Sequence, residues 1–171
     1  MADQIAIEQR EAAHAVEIAA NPRLWQIPKV LASGFAEARA HIERSGAAVE
    51  GMPFARYLGI DWDKMAGQGV LAQIGEFVFS RQAMRSGLFC SRPLSSEGNA
   101  IATTVPAGRY VTTYHRGAYH KVGDTYRRIV AWARENGVSL ADSSLEHYID
   151  DPTTMAMDEV RTQIWIAVRD E

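Results

Sequence analysis

The chain has little of several features that mark particular classes of protein. Only one cysteine, Cys90, occurs in 171 residues, which excludes an internal disulfide and a multi-cysteine zinc site. No apolar run approaches the roughly 20 residues of a membrane-spanning helix, and residues 1–20 lack the basic and apolar segments of a signal peptide. Basic residues are not clustered and the net charge is -3, which disfavours direct nucleic-acid binding.

What remains is the composition of an ordinary globular protein. Hydrophobic residues make up 47% of the chain and charged residues 23%, enough for a sizeable core. The five histidines show no recognised metal spacing. We therefore expect a cytoplasmic protein with no membrane contact, no metal and no cofactor, whose residues 1–171 form one domain.

Two segments have the periodicity of amphipathic helices, because apolar residues recur in each at steps of four, three and four. The first stripe is Leu31, Phe35, Ala38 and Ile42, and the second is Val122, Tyr126, Ile129 and Ala133. Gly46 and Gly137 follow these stripes and are typical of helix ends.

Six segments have strand character. They are residues 4–19 with a break near Glu11, residues 53–63 and 70–79 as a hairpin, residues 100–117 around a Pro-Ala-Gly turn, residues 143–150, and residues 160–168. Residues 81–98 are rich in Ser, Gly and Pro, and this composition predicts a linker.

The two halves share one spacing. Each residue of the first stripe gains 91 to reach its counterpart in the second, as do Gly46 to Gly137 and Tyr57 to Tyr148, while QIGEFV and QIWIAV are offset by 90. This regularity indicates an internal duplication. We predict an α+β fold of tandem βαββ repeats with pseudo-two-fold symmetry, antiparallel sheets, helices packed on one side and a groove between the repeats. Repeat one covers about 1–80, the linker about 81–98 and repeat two about 99–171.

Alternation in the strands of the second repeat selects candidate site residues. If Leu145 and Ile149 face the helix, Glu146 and Tyr148 face the groove, and Trp165 of the closing strand joins them. A carboxylate between aromatic rings favours a cationic ligand. An exposed strand carboxylate at Glu146 and a core tryptophan at Trp165 are the alternatives.

The first repeat has Ala55 and Gly75 where the second has Glu146 and Trp165, so the predicted groove is asymmetric. Tyr57 and Phe77 are candidates for further aromatic wall.

These second-half motifs resemble the GyrI-like small-molecule-binding family, the effector-binding domain of AraC-type regulators. The matching positions are Pro106 to Gly108, His115, Gly117, Tyr119, Glu146, Tyr148, Asp151, Pro152 and Thr162 to Ile166. The first half matches only in element order and spacing. The resemblance implies a pocket whose glutamate, here Glu146, meets lipophilic and often cationic ligands, and it adds Tyr119 to the candidate ligand-binding residues.

Three functions remain open at this point. The first is a stand-alone effector-binding or sequestering protein for a lipophilic, cationic or aromatic small molecule. The second is a hydrolase of cyclopropane-type electrophiles in which Glu146 is the catalytic acid or base. The third is a protein-interaction module of the gyrase-inhibitor type, whose partner, a transcription regulator or gyrase, the sequence does not identify.

Overall fold

The computed structural model describes residues 3–67, 81–151 and 153–169. The first half of the chain contains β1 (Ala6–Arg10), β2 (Ala13–Ala20), a 3-10 turn (Leu24–Gln26), α1 (Ile27–Arg44), β3 (Val49–Leu58), α2 (Trp62–Gly67) and β4 (Met84–Cys90). The second half contains β5 (Ala100–Val105), β6 (Gly108–Arg116), a 3-10 turn (Tyr119–Lys121), α3 (Val122–Glu135), β7 (Ser143–Tyr148) and β8 (Arg161–Ala167).

Both long helices form where the periodicity predicts them. Ala38 and Ile42 of α1 are fully buried, and so is Ile129 of α3. Each helix ends just before a glycine with a left-handed backbone, Gly46 with φ 70° and Gly137 with φ 63°. The apolar stripe and the glycine stop therefore determine both helices.

The described strands form one eight-stranded, antiparallel, curled sheet in the order β1-β6-β8-β7-β3-β4-β2-β5. This arrangement confirms the predicted α+β class. β3 and β7 are neighbours at the centre, and each half contributes one side of the sheet. The edge strands are exchanged, since β1 pairs with β6 and β5 pairs with β2.

The break predicted near Glu11 separates β1 from β2, and the Pro-Ala-Gly turn separates β5 from β6, so the segments 4–19 and 100–117 each contain two strands. Both breaks send the chain to the opposite end of the sheet, so each half contributes four strands instead of the three in a βαββ unit. The order is the one that two equivalent halves would produce, and the internal duplication stays a prediction.

The two faces of the sheet have different cores. On the helix-bearing face, α1 packs on Val16, Ile18, Leu88 and Cys90, and α3 packs on Val111, Ile164 and Ile166. On the opposite face the curled sheet buries a second cluster, which consists of Ala15, Phe54, Phe89, Val105, Tyr110 and Leu145 with Trp165 against it.

The prediction of a linker at residues 81–98 was partly wrong, because residues 84–90 form the strand β4, which lies between β2 and β3 in the sheet. Close packing requires the small residues of this segment. A Cβ at Gly87 would lie 2.2 Å from the Phe54 ring, and a Cβ at Gly34 of α1 would lie 2.5 Å from Ser86. Composition therefore suggested a linker where close contacts require small side chains.

β4 is third from one end of the sheet, as β8 is third from the other. It therefore takes the position equivalent to β8, which the 90-residue offset assigned to QIGEFV. Residues 73–78 lie outside the described residues. Trp62 and Asp63, predicted to end a strand, belong to the short helix α2.

Gly87→Ala should lower the free energy of unfolding by about 1–3 kcal/mol, since the added methyl group overlaps the Phe54 ring. Urea denaturation measures this change. Gly123→Ala in α3 is the matched control, because its Cβ meets only an Arg127 nitrogen at 3.7 Å, and helix propensity favours alanine by about 1 kcal/mol. Equal stability of Gly87→Ala and wild type would contradict the close Phe54 contact.

Candidate functional site

The candidate site lies where the two central strands meet. Ala55 of β3 and Glu146 of β7 are directly opposite each other in the register, and both point to the helix-bearing face. The methyl group of Ala55 leaves room beside the longer side chain. Glu146 is only 1% exposed, so its carboxyl group lies in the interior under the helices.

Tyrosine hydroxyls surround the Glu146 carboxyl. Tyr126 of α3 donates a hydrogen bond of 2.7 Å to Oε1, and Tyr148 donates one of 3.4 Å to Oε2. Ser144 lies 2.8 Å from the Tyr126 hydroxyl. Since the single hydroxyl hydrogen of Tyr126 goes to Glu146, Ser144 donates to Tyr126.

Two more tyrosines extend this network toward the first half. The Tyr57 hydroxyl lies 3.2 Å from that of Tyr148 and 2.6 Å from that of Tyr119. Burial raises the pKa of all four tyrosines, and the nearby Glu146 charge raises it further. The hydroxyls therefore remain protonated and available as donors at neutral pH.

The His-x-Gly-x-Tyr motif positions one of these hydroxyls. Gly117 has φ 105°, a conformation that favours glycine, and it turns the chain from β6 into the 3-10 turn that begins at Tyr119. The His115 ring lies 3.0 Å from Thr125 Oγ1 and 3.2 Å from the Ala118 carbonyl oxygen. His115 thus ties the turn to α3 and holds Tyr119 over the centre of the sheet.

Glu146 has no cationic partner among the described residues, which show no ion pair to it. Burial raises the pKa of the Glu146 carboxyl to about 7, against the opposing effect of hydrogen bonds from Tyr126, Tyr119 and Tyr148. Near neutral pH the group exchanges between an acid and a carboxylate, and the network can accommodate both.

A cavity of about 590 Å³ opens above this carboxyl, within the range of ligand pockets. It lies between the N-terminal ends of α1 and α3. Its lining is Leu24, Trp25, Ile27, Pro28, Tyr57, Ile60, Met65, Gln82, Tyr119, Lys121, Val122, Gly123, Asp124, Tyr126, Arg127 and Glu146.

The mouth of the cavity carries an exposed aromatic residue and charged groups. Trp25 is 55% exposed, so its indole ring is accessible to a molecule that enters the cavity. Asp124 and Arg127 form an ion pair with each other, and Lys121 lines the rim. No group of His, Cys, Asp and Glu within the described part of the chain could hold a metal ion, nor does any helix there have the length and apolarity to span a membrane.

The structure brings together four of the six predicted site residues. Glu146, Tyr57 and Tyr119 line the cavity, while Tyr148 lies behind them and contacts the carboxyl. Phe77 lies outside the described residues. The prediction that Trp165 shares a face of the sheet with Glu146 and Tyr148 was wrong, because Glu146 lies on the helix-bearing side.

Trp165 lies on the opposite face of the sheet. It pairs with Leu145 in the register, whereas Glu146 pairs with Ile164, and paired residues share a face. Leu145 was expected to face the helix, but it packs with Phe54 and Tyr110 on the other side. Alternation separates the two sets correctly, yet both faces have apolar cores, so apolarity does not identify the helix side.

Most of the lining was not predicted, including the polar and aromatic residues Tyr126 and Trp25, and neither was Ser144 beside the carboxyl network. Tyr126 was assigned to the helical stripe, although its buried hydroxyl requires a polar partner, and this requirement was the available signal. Ser144 shares the alternating set of Glu146. Trp25 gave no periodic signal, because it lies in the 3-10 turn before α1.

The α+β fold, with a cavity over the central strands of its antiparallel sheet, is the architecture expected of a small-molecule-binding domain. The GyrI-like small molecule binding domain family matches residues 50–169, a stretch that includes α3, β7 and most of β3. The chain belongs to this family. Among curated proteins, none matches the sequence.

Solved structures share the fold at low identity. The C-terminal domain of EcmrR is 19% identical with a TM-score of 0.70 over 100% of both chains. This chain spans 59% of the EcmrR chain in its complex with DNA, at a TM-score of 0.76. A hydrolase from Listeria innocua is 10% identical with a TM-score of 0.65, covering 97% of this chain and 92% of its own.

SAV2435 bound to tetraphenylphosphonium is 12% identical with a TM-score of 0.54, covering 97% of this chain and 94% of its own. At these identities the similarity shows the fold, and the family match shows small-molecule binding.

Glu146→Gln should change how stability depends on pH. The folded pKa near 7 exceeds the usual 4.5, so the native state holds a proton that the unfolded chain has lost. The wild type should therefore lose on the order of 3 kcal/mol of unfolding free energy, relative to the variant, as pH rises from about 4.5 to 7. Urea denaturation across this range measures the difference. The exposed Glu50→Gln is the control and should run parallel to wild type; parallel curves for Glu146→Gln would contradict the raised pKa.

Proposed function

We propose that the chain binds a lipophilic cation in the cavity above Glu146, as an effector-binding or sequestering protein. The observation that carries this proposal is a buried carboxyl with no cationic partner among the described residues, at the base of a pocket with aromatic walls. A bound cation supplies the missing charge, and its apolar groups contact Tyr57, Tyr119 and Trp25.

Electrostatics and apolar contact act together in this arrangement. An ionised Glu146 in a site with little water attracts a cation more strongly than an exposed carboxylate does. Aromatic ring faces add cation–π attraction. SAV2435, which shares the fold, has been solved bound to tetraphenylphosphonium, a cation of this class, and this supports the proposal.

The affinity for tetraphenylphosphonium should rise with pH. Binding favours the ionised form of Glu146, so below a pKa of about 7 the affinity should increase by up to about tenfold per pH unit and then level off. Calorimetric titration between pH 5.5 and 8.5 measures this. Triphenylphosphine oxide, an uncharged analogue, should show no such increase.

Glu146→Gln should weaken tetraphenylphosphonium by about 10- to 100-fold at pH 8 and remove its pH dependence, while Glu50→Gln should leave both unchanged. Equal affinity and an equal pH profile in wild type and Glu146→Gln would place the cation elsewhere.

Trp25→Ala should weaken tetraphenylphosphonium by about 1–3 kcal/mol, because the indole is an exposed wall of the cavity. Trp165→Phe should leave the affinity unchanged, since Trp165 lies on the other side of the sheet. The same calorimetric titration compares the two variants. A larger loss of affinity in Trp165→Phe than in Trp25→Ala would instead place Trp165 at the bound cation.

A hydrolase is the second candidate, and the pKa of about 7 at Glu146 favours it, because a general acid or base works best near the ambient pH. Glu146 would accept a proton from water as the water oxygen bonds to a ring carbon of a cyclopropane-type electrophile. The strained C–C bond breaks, its electron pair moves to the ring carbon that carries the activating group, and the protonated Glu146 returns the proton to that position. A Listeria innocua protein described as a hydrolase shares the fold. Mass spectrometry of such an electrophile incubated with wild type and Glu146→Gln distinguishes turnover from binding.

A further inference from the structure

The face of the sheet opposite the helices holds a cation with unusual surroundings. Arg10 of β1 is half-buried, and its guanidinium carbon lies 5.1 Å from the centre of the Phe89 ring and 5.2 Å from that of Trp165. The guanidinium is thus packed against two aromatic rings, which fix its position and leave its planar edge as the polar surface.

Within the described part of the chain, no carboxylate pairs with this charge. Arg10 Nη1 lies 3.1 Å from His147 Nε2. Burial lowers the pKa of His147 to about 3, with a further lowering by Arg10, so His147 is a neutral acceptor. The described residues show no ion pair to Arg10. Glu8, two residues earlier on β1, is exposed and makes none.

The neighbouring charges leave this face positive. Glu17 is fully buried and is engaged by Arg56 at 2.7 Å and by Arg85 at 3.1 Å. Two arginines therefore share this buried carboxylate, which leaves Arg10 without a share of it, and Arg56 repels the Arg10 charge. A half-buried cation in such surroundings is costly unless an anion accompanies it.

Unused hydrogen-bond donors lie at the same place. A guanidinium has five N–H donors, of which His147 accepts one. Trp165 Nε1 is buried and has no hydrogen-bond partner among the described residues, whereas buried N–H groups are normally satisfied. The indole that packs on Arg10 thus carries a second unsatisfied donor.

We propose that Arg10 and Trp165 form a binding site for a small carboxylate, on the side of the sheet opposite the Glu146 cavity. The planar carboxylate accepts two hydrogen bonds from the free edge of the guanidinium, the geometry that arginine favours. Trp165 Nε1–H is a further donor. The site is independent of the proposed cation pocket, because the sheet separates the two.

Acetate at constant ionic strength, with chloride as the balancing anion, is the probe. The ¹H–¹⁵N signal of the Trp165 indole, assigned through Trp165→Phe, should shift saturably in the wild type. Arg10→Met should weaken acetate by at least about tenfold. Arg39→Met, which removes an exposed arginine of α1, makes the same charge change and should leave acetate binding unaltered.

Arg10→Lys keeps the charge but loses the planar fork, so it should weaken acetate more than inorganic phosphate. Saturation of the wild type by phosphate and not by acetate would overturn the carboxylate assignment. A linear shift in the wild type, or equal saturation in Arg10→Met, would overturn the site itself.

A dispersed ¹H–¹⁵N spectrum that matches the wild type away from Trp165 identifies a folded Arg10→Met protein. If that variant does not fold, the wild type and Arg39→Met decide the question through thermal denaturation. Stabilisation of both by acetate over chloride, together with the saturable indole shift, supports the site, and the lack of either in the wild type overturns it.

Discussion

The buried carboxyl of Glu146 is the constraint on which the centre of this molecule depends. An acidic group under two helices with no cation beside it is stable only if hydrogen bonds replace water. Tyr126 and Tyr148 donate these bonds directly, and Tyr57 and Tyr119 extend the network. The unusual conformation of Gly117 and the anchoring of its turn by His115 follow from the need to hold Tyr119 at that place. The cavity above is the space that this polar cluster keeps open between the helices.

The sequence was sufficient for the elements whose signal is local. Both amphipathic helices, their glycine ends and the class of the fold follow from periodicity, and the spacing of 91 placed Ala55 in correspondence with Glu146, which the register shows to be direct neighbours. Features that depend on contacts between distant segments were not accessible. Gly87 looked like linker composition because Phe54, which requires its small size, lies 33 positions earlier. Glu146 and Tyr148 were assigned to the face away from the helices, together with Trp165, because both sides of the sheet are apolar and no local pattern distinguishes them.

The alternating side chains of β7 lie in two different environments, one on each face of the sheet. Successive residues face opposite sides, so Glu146 meets tyrosine hydroxyls under the helices while Leu145 and His147 meet aromatic rings and Arg10 on the other side. The helix-bearing side thus presents an acidic group at the centre of the sheet, and the other side presents a basic one. A change in the register of β7 by one residue would reverse both environments. A register shift in the central strand pair would therefore disrupt the Glu146 network and the opposite core at once.

The exchange of the edge strands affects the order in which the molecule can assemble during synthesis. β1 at residues 6–10 pairs with β6 at residues 108–116, and loop closure over such a distance is slow. As the ribosome produces the chain, the first strand emerges about 100 residues before its partner. Until the second half has been synthesised, β2 and β3 of the first half are unpaired on one side and leave two open margins of the sheet. Because β5 covers the margin of β2 and β7 covers that of β3, the time needed to synthesise the chain as far as residue 148 contributes to how long these margins are exposed to other chains.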